Sequence, residues 1–151
     1  MDFVKAKGQT GMGVAENKAV AARFLNEIVG KGDWDAAGEV MAQDITVYHP
    51  SAPGGSLHGL QPVKQLFMGF RTGFPDLTII TEDVIAENDQ VAVRWRGVGT
   101  NTGEFFGAPP TGKAIDVGAM SMFTIHDGKI VEDRICEDTL GMLKQLGVIP
   151  Q

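Results

Sequence analysis

Four long segments rich in β-branched residues, Leu77–Ala86, Val91–Thr100, Ala114–Ile125 and Lys129–Glu137, follow a first half that reads as helical, and this order does most to limit the fold. Two of the three connections are short, and the third is the loop 101–113. Asn88-Asp89 marks one turn, and Asp127-Gly128 signals a two-residue hairpin, whose favoured turn needs positive φ at both positions. Strands joined in this way form an antiparallel meander. In the first half, Ala21, Phe24, Leu25, Ile28 and Val29 recur at helical spacing within Asn17–Val29, and Gly30-Lys31-Gly32 stops that helix. Asp33 sits where an N-cap belongs, ahead of a short second helix with Trp34, Ala37, Val40 and Met41 on one face. Ile45–His49 reads as a strand and 50–59 as a turn-rich loop. Pro62 suits the first position of a third helix carrying Val63, Leu66, Phe67 and Phe70, which Phe74-Pro75-Asp76 ends. A last helix, Leu140–Leu146, closes at Gly147. Helices followed by antiparallel strands make an α+β arrangement. A strongly curved antiparallel sheet wraps over three N-terminal helices to bury its concave face, giving a cone with an internal pocket.

With 151 residues, 43% of them hydrophobic, the chain can build one core. Residues 15–151 are therefore expected to form a single domain, and 1–14, with three glycines and little periodicity, a flexible tail. A net charge of −6 without any Lys/Arg cluster argues against a nucleic-acid partner. The single Cys136 cannot make an internal disulfide, and neither a leader pattern nor a long apolar run is visible. A soluble cytoplasmic protein with no membrane partner is the expectation. Gly107–Lys113 satisfies GxxxxGK, but Pro109 and Pro110 lack the amide hydrogens that a phosphate cradle needs. Ala114 stands where a Mg²⁺-binding Ser/Thr belongs, and an extended segment follows instead of a helix. The stiff loop is expected to join two strands beside the pocket mouth.

Tyr48-His49-Pro50, Leu57-His58-Gly59, Phe74-Pro75-Asp76, the loop 103–113, Asp127-Gly128-Lys129-Ile130 and Gln145-Leu146-Gly147 stand in an order that resembles the SnoaL-like polyketide cyclase (ester cyclase) family. The resemblance covers roughly Asn17 to Pro150. It implies the cone of the nuclear-transport-factor-like superfamily, a cofactor-free pocket, and an oligomer formed through sheet faces. It also implies the family's chemistry, an intramolecular aldol ring closure on a polyketide ester served by one acid/base Asp. Aligned without gaps on the Asp127–Ile130 and Gln145–Gly147 motifs, that Asp falls on Ile135, an assisting His falls on Ser121, and a polar pocket position falls on His49.

Alternation along the last strand puts Val131, Asp133, Ile135 and Glu137 on one face and Ile130, Glu132, Arg134 and Cys136 on the other. If Ile135 faces the pocket, so do Asp133 and Glu137, and a carboxylate in an apolar cavity is raised toward the neutral pKa that general acid/base work requires. His49, Asp133, Glu137 and Asp138 are thus the catalytic candidates, Asp138 being equally placed to cap the last helix. Tyr48, His58, Ser121, Phe123, Trp95 and Ile135 are expected to contact a small apolar or polyketide-like ligand. His126 belongs to a hairpin turn, and three isolated histidines without HExxH or paired-Cys spacing give no metal site. Arg94 and Arg96 share a strand face and read either as a carboxylate clamp or as cross-strand ion pairs. Ile115, Val117, Ala119, Ser121 and Phe123 fit the core. Met120 and Met122 on the opposite face suit a homodimer contact. Three functions remain open: cofactor-independent aldol-type catalysis, non-catalytic ligand binding, and isomerase- or epoxide-hydrolase-like chemistry with Asp116, Arg96 and Asp133 together.

Overall fold

The computed structural model of the protein describes residues 13–151. The expected tail therefore lies almost wholly outside the described residues, and Val14 already opens the first helix. That helix, α1 (Val14–Arg23), runs on as a π-helical turn over Phe24–Val29, whose buried Phe24, Leu25, Ile28 and Val29 continue the apolar stripe. The second helix is a short turn, Trp34–Ala36, leading into α2 (Ala37–Val40). Asp33 occupies its N-cap position, but its side chain makes no capping hydrogen bond. Strand β1 (Met41–Tyr48) starts earlier than expected, and the following loop holds a short strand, β2 (Ser56–His58). Helix α3 spans Leu60–Gly73, so Pro62 stands at its third position, still within the first turn, where a missing N–H costs no helical bond.

Strands β3 (Thr78–Glu87), β4 (Gln90–Thr100), β5 (Ala114–His126) and β6 (Lys129–Glu137) form the expected antiparallel meander, and α4 (Thr139–Leu146) ends the chain. The six strands lie in the order β2-β1-β6-β5-β4-β3. Because α3 carries the chain to the far edge and the meander counts back from there, β6 arrives beside β1 and pairs with it in parallel. This parallel pair modifies the all-antiparallel sheet expected from sequence; the curved α+β cone itself is as expected.

Two apolar clusters fill the concavity. The larger contains Phe24, Phe67 and Phe123, with ring centroids 5.8 and 5.7 Å apart in edge-to-face contact and Trp34 stacked on Phe67. The smaller joins Phe74, Leu77, Ile115 and Val117 to Met142 and Leu146 of α4. Arg71 of α3 ties the layers: its guanidinium donates to the carbonyls of Val29, Gly30 and Leu77 and so caps the end of the first helix. Gly147, at φ 73°, ends α4 as expected, and Asp127 and Gly128, at φ 50° and 76°, make the predicted hairpin turn.

One alternation differs from expectation. A bulge in β6, opposite Thr124 and Ile125 of β5, pairs Ile125 with Ile130 and leaves Val131 as the extra residue, so Ile130 turns into the core. Beyond the bulge Asp133, Ile135 and Glu137 share the concave face. No helix among the described residues is long and apolar enough to cross a membrane.

Candidate functional site

A cavity opens at the seam of the two clusters. Val29 closes it from the first helix, Phe67 and Phe70 from α3, Met142 from α4, and Leu77, Ile79, Trp95, Gly97, Ile115 and Val117 from the meander; among the described residues, the ionisable side chains in its wall are His49 and Glu137. It holds about 460 Å³ of atom-free space counted to its open mouth, in a wall otherwise hydrophobic.

His49 sits one residue past β1, where the chain turns into the loop before β2. Its Nδ1 accepts the Ser51 backbone N–H at 3.0 Å, which places the ring proton on Nε2. The ring is almost wholly buried and meets Phe67 and Phe70 edge-on. Burial pushes its pKa down to about 4, so the imidazole is neutral across the physiological range. Glu137 ends β6, and its Oε2 lies 3.7 Å from His49 Nε2. Burial raises its pKa, while the hydroxyls of Thr139 and Ser51, 3.4 and 3.5 Å from Oε1, work in the opposite direction. With the imidazole neutral, this is a donor facing a carboxyl and not an ion pair. Oε1 is held by two hydroxyls, which leaves Oε2 as the oxygen toward His49 and the cavity.

Asp133 is deeper and takes no part in the cavity wall. It has no exposed surface, and neither carboxylate oxygen has a hydrogen-bond partner among the described residues. Burial raises its pKa well above the ordinary value; the Ser121 hydroxyl is near enough to lower it in part without reaching hydrogen-bond geometry. Ser121 Oγ accepts the Trp95 indole N–H at 3.2 Å. Ile135 lies between Asp133 and Glu137, buried on the same face and paired with Ser121.

Other expected site residues fall elsewhere. Tyr48 is on the convex face, its ring beneath the Arg134 guanidinium at 4.1 Å, because it precedes the inward His49 on an alternating strand. His58 is exposed on the edge strand β2 and bonds Thr46 Oγ1 at 3.1 Å. Phe123 is wholly buried in the aromatic core and absent from the cavity wall. Asp138 is exposed and caps α4 by accepting the Gly141 N–H at 2.8 Å, the structural role its position allowed. Arg94 and Arg96 form cross-strand pairs on the convex face with Asp83, Glu82 and Asp116, so Asp116 and Arg96 are separated by the sheet from Asp133. His126 pairs with Asp89 at the hairpin end. No three His, Cys, Asp or Glu side chains among the described residues converge as metal ligands would. Sequence reasoning missed Ser51 and Thr139. Each lies two residues from a candidate, which was the available signal for a polar neighbour.

The family model for SnoaL-like polyketide cyclases matches residues 19–146. A protein from Jannaschia sp. CCS1 classed as a SnoaL-like polyketide cyclase is 27% identical, with a TM-score of 0.81 over 95% of this chain and 100% of its own. IdmH from Streptomyces antibioticus, classed as a polyketide cyclase, is 28% identical with a TM-score of 0.75, covering 87% of this chain and 98% of its own. AclR from Streptomyces galilaeus, classed as a hydroxylase, is 27% identical with a TM-score of 0.79 over 92% and 89% of the two chains. No curated protein matches the sequence. The matched family model runs from the first helix to the last around this cone and its cavity, and the chain belongs to the SnoaL-like polyketide cyclase family.

Proposed function

We propose that the protein is a cofactor-independent acid/base enzyme acting on a neutral, enolisable, polyketide-like carbonyl compound, with Glu137 moving the proton and His49 holding the carbonyl oxygen. The observation that carries this reading is the pair itself: a buried carboxyl and a buried neutral imidazole 3.7 Å apart, the ionisable groups that the described residues place in an otherwise apolar cavity wall. Glu137 is raised toward the pKa at which a carboxyl can both accept and return a proton near neutrality. In its ionised form Oε2 takes a proton from the carbon next to the carbonyl. The His49 Nε2–H donates to the oxygen, where negative charge gathers as the enolate forms. In an aldol closure the enolate carbon then bonds to a second carbonyl carbon of the same molecule. The Glu137 proton neutralises the new alkoxide, so the product is an isomer of the substrate. The pair lies two residues along β6 from Ile135, where the resemblance puts the family's Asp, so in this reading the acid/base has moved along the strand to Glu137. A bulky substrate requires the cavity to widen, which the unbranched Met142 in its wall permits.

The test uses 2-tetralone, a neutral apolar ketone, in D₂O. The wild-type protein is expected to accelerate exchange of its α-hydrogens, followed by NMR, and Glu137→Gln to lower the catalysed rate by about 10²-fold. Binding of 2-tetralone to the wild type with no acceleration would overturn catalysis and favour the alternative of a ligand-binding domain on the same fold.

A further inference from the structure

Beyond His49 and Glu137 the cone contains a polar group that the proposed chemistry leaves unused. Asp133 is on the same strand and face as Glu137, four residues earlier and so about 13 Å further along it. Val47 and Phe123 pair with it on the two neighbouring strands. Both are apolar, and neither uses the carboxyl. A wholly buried carboxyl with two unpartnered oxygens costs stability, whereas a leucine in that place would not.

Trp95 connects this group to the cavity. Trp95 is part of the cavity wall, and its indole N–H donates to the Oγ of Ser121, which is not. Ser121 pairs with Ile135, next to Asp133 along the concave face. Trp95, through Ser121, and Ile135, between Asp133 and Glu137, therefore stand between the cavity and Asp133. Burial raises its pKa well above the ordinary value, which favours the protonated carboxyl, a hydrogen-bond donor suited to a neutral acceptor oxygen.

We propose that Asp133 and Ser121 form a second polar site behind Trp95, which takes a carbonyl oxygen of a neutral, otherwise apolar ligand when the Trp95 ring moves aside. The site rests on the reading of the cavity as a pocket for carbonyl compounds, and it is distinct from the His49–Glu137 pair. It anchors an oxygen remote from the reacting carbon and so fixes which way round the ligand lies.

Two naphthalenes of matched shape test this: 2-acetonaphthone carries a carbonyl where 2-isopropylnaphthalene carries a carbon. Their dissociation constants for the full-length protein are read by quenching of tryptophan fluorescence. The wild type is expected to favour the ketone at least about fivefold, the worth of one hydrogen bond. Asp133→Leu is expected to bring the ratio close to one. A co-crystal structure of the wild type with 2-acetonaphthone is a second readout that needs no variant, and its oxygen is expected within hydrogen-bond reach of Asp133. A ratio that survives Asp133→Leu, a wild type without preference, or a ketone oxygen bound only at His49 would each overturn the second site while leaving the cavity reading intact. Failure of both compounds to bind the wild type would overturn both.

Discussion

His49 and Asp133 are buried ionisable groups that burial drives in opposite directions, and each stays uncharged where its ordinary counterpart would be charged. For His49 the folded-state pKa of about 4 lies below the ordinary 6.5. Between those values the unfolded chain binds the proton and the folded chain does not, so folding loses stability as pH falls from about 6.5 and levels off near 4. The difference is on the order of 3 kcal/mol. His49→Gln is expected to remove this acid-side loss, measured as the difference between wild-type and variant urea unfolding at pH 7 and pH 4.5. An unchanged difference across that range would mean that the imidazole is already hydrated in the folded protein. Both residues were legible as candidates from their positions on extended segments. The separation of Asp133 from Glu137 on the same strand face was not, because one borders the cavity and the other the packed interior, which depends on tertiary packing.

The loop between β4 and β5 shows how a connection can position a site. Asn101 is buried and organises it: Nδ2 donates to the carbonyls of Gly73 and Gly103 at 3.0 Å, and Oδ1 accepts from the Thr111 N–H and Oγ1 at 2.8 and 3.0 Å. The loop then folds Phe105 and Phe106 back on α3, with Phe106 and Gly107 at φ 46° and 82° in a tight turn. The two rings lie against Gly73 and Gly69, where a Cβ would meet them, and both contact Phe70 of the cavity wall. Asn101→Ala leaves the Gly73 carbonyl and the Thr111 amide without these partners and is expected to cost about 2–4 kcal/mol in urea unfolding. A cost under about 0.5 kcal/mol would show that water replaces the side chain and that the loop is not held from Asn101. The sequence pattern marked this segment as a stiff loop beside the pocket. It could not reveal Asn101, since a single polar residue after a strand carries no periodic signal.

On the convex face of the whole sheet, Met120 and Met122 are 54% and 41% exposed, next to the Arg94 and Arg96 ion pairs with Glu82, Asp83 and Asp116. We propose that two copies meet through this face, covering the methionines and setting arginines of one copy near acids of the other. Light scattering behind size exclusion is expected to give the mass of two chains, and Met120→Glu with Met122→Glu that of one. A wild-type mass of one chain would discard the dimer.

Hydrophobic period was enough for the order of elements, the cone and the inward faces of β4 and β5, because the alternation of buried and exposed residues is a local property of a strand. The Asp-Gly turn and the glycine end of α4 were readable for the same reason: their positive φ is a property of one or two residues. Three features required the folded chain. The parallel β1–β6 pair follows from where α3 delivers the meander, and the bulge that turns Ile130 inward follows from register against a neighbouring strand. Which of the acids on β6 borders open space follows from packing between the two apolar clusters. Long-range register and packing place residues far apart in sequence against one another, and no local pattern encodes those distances.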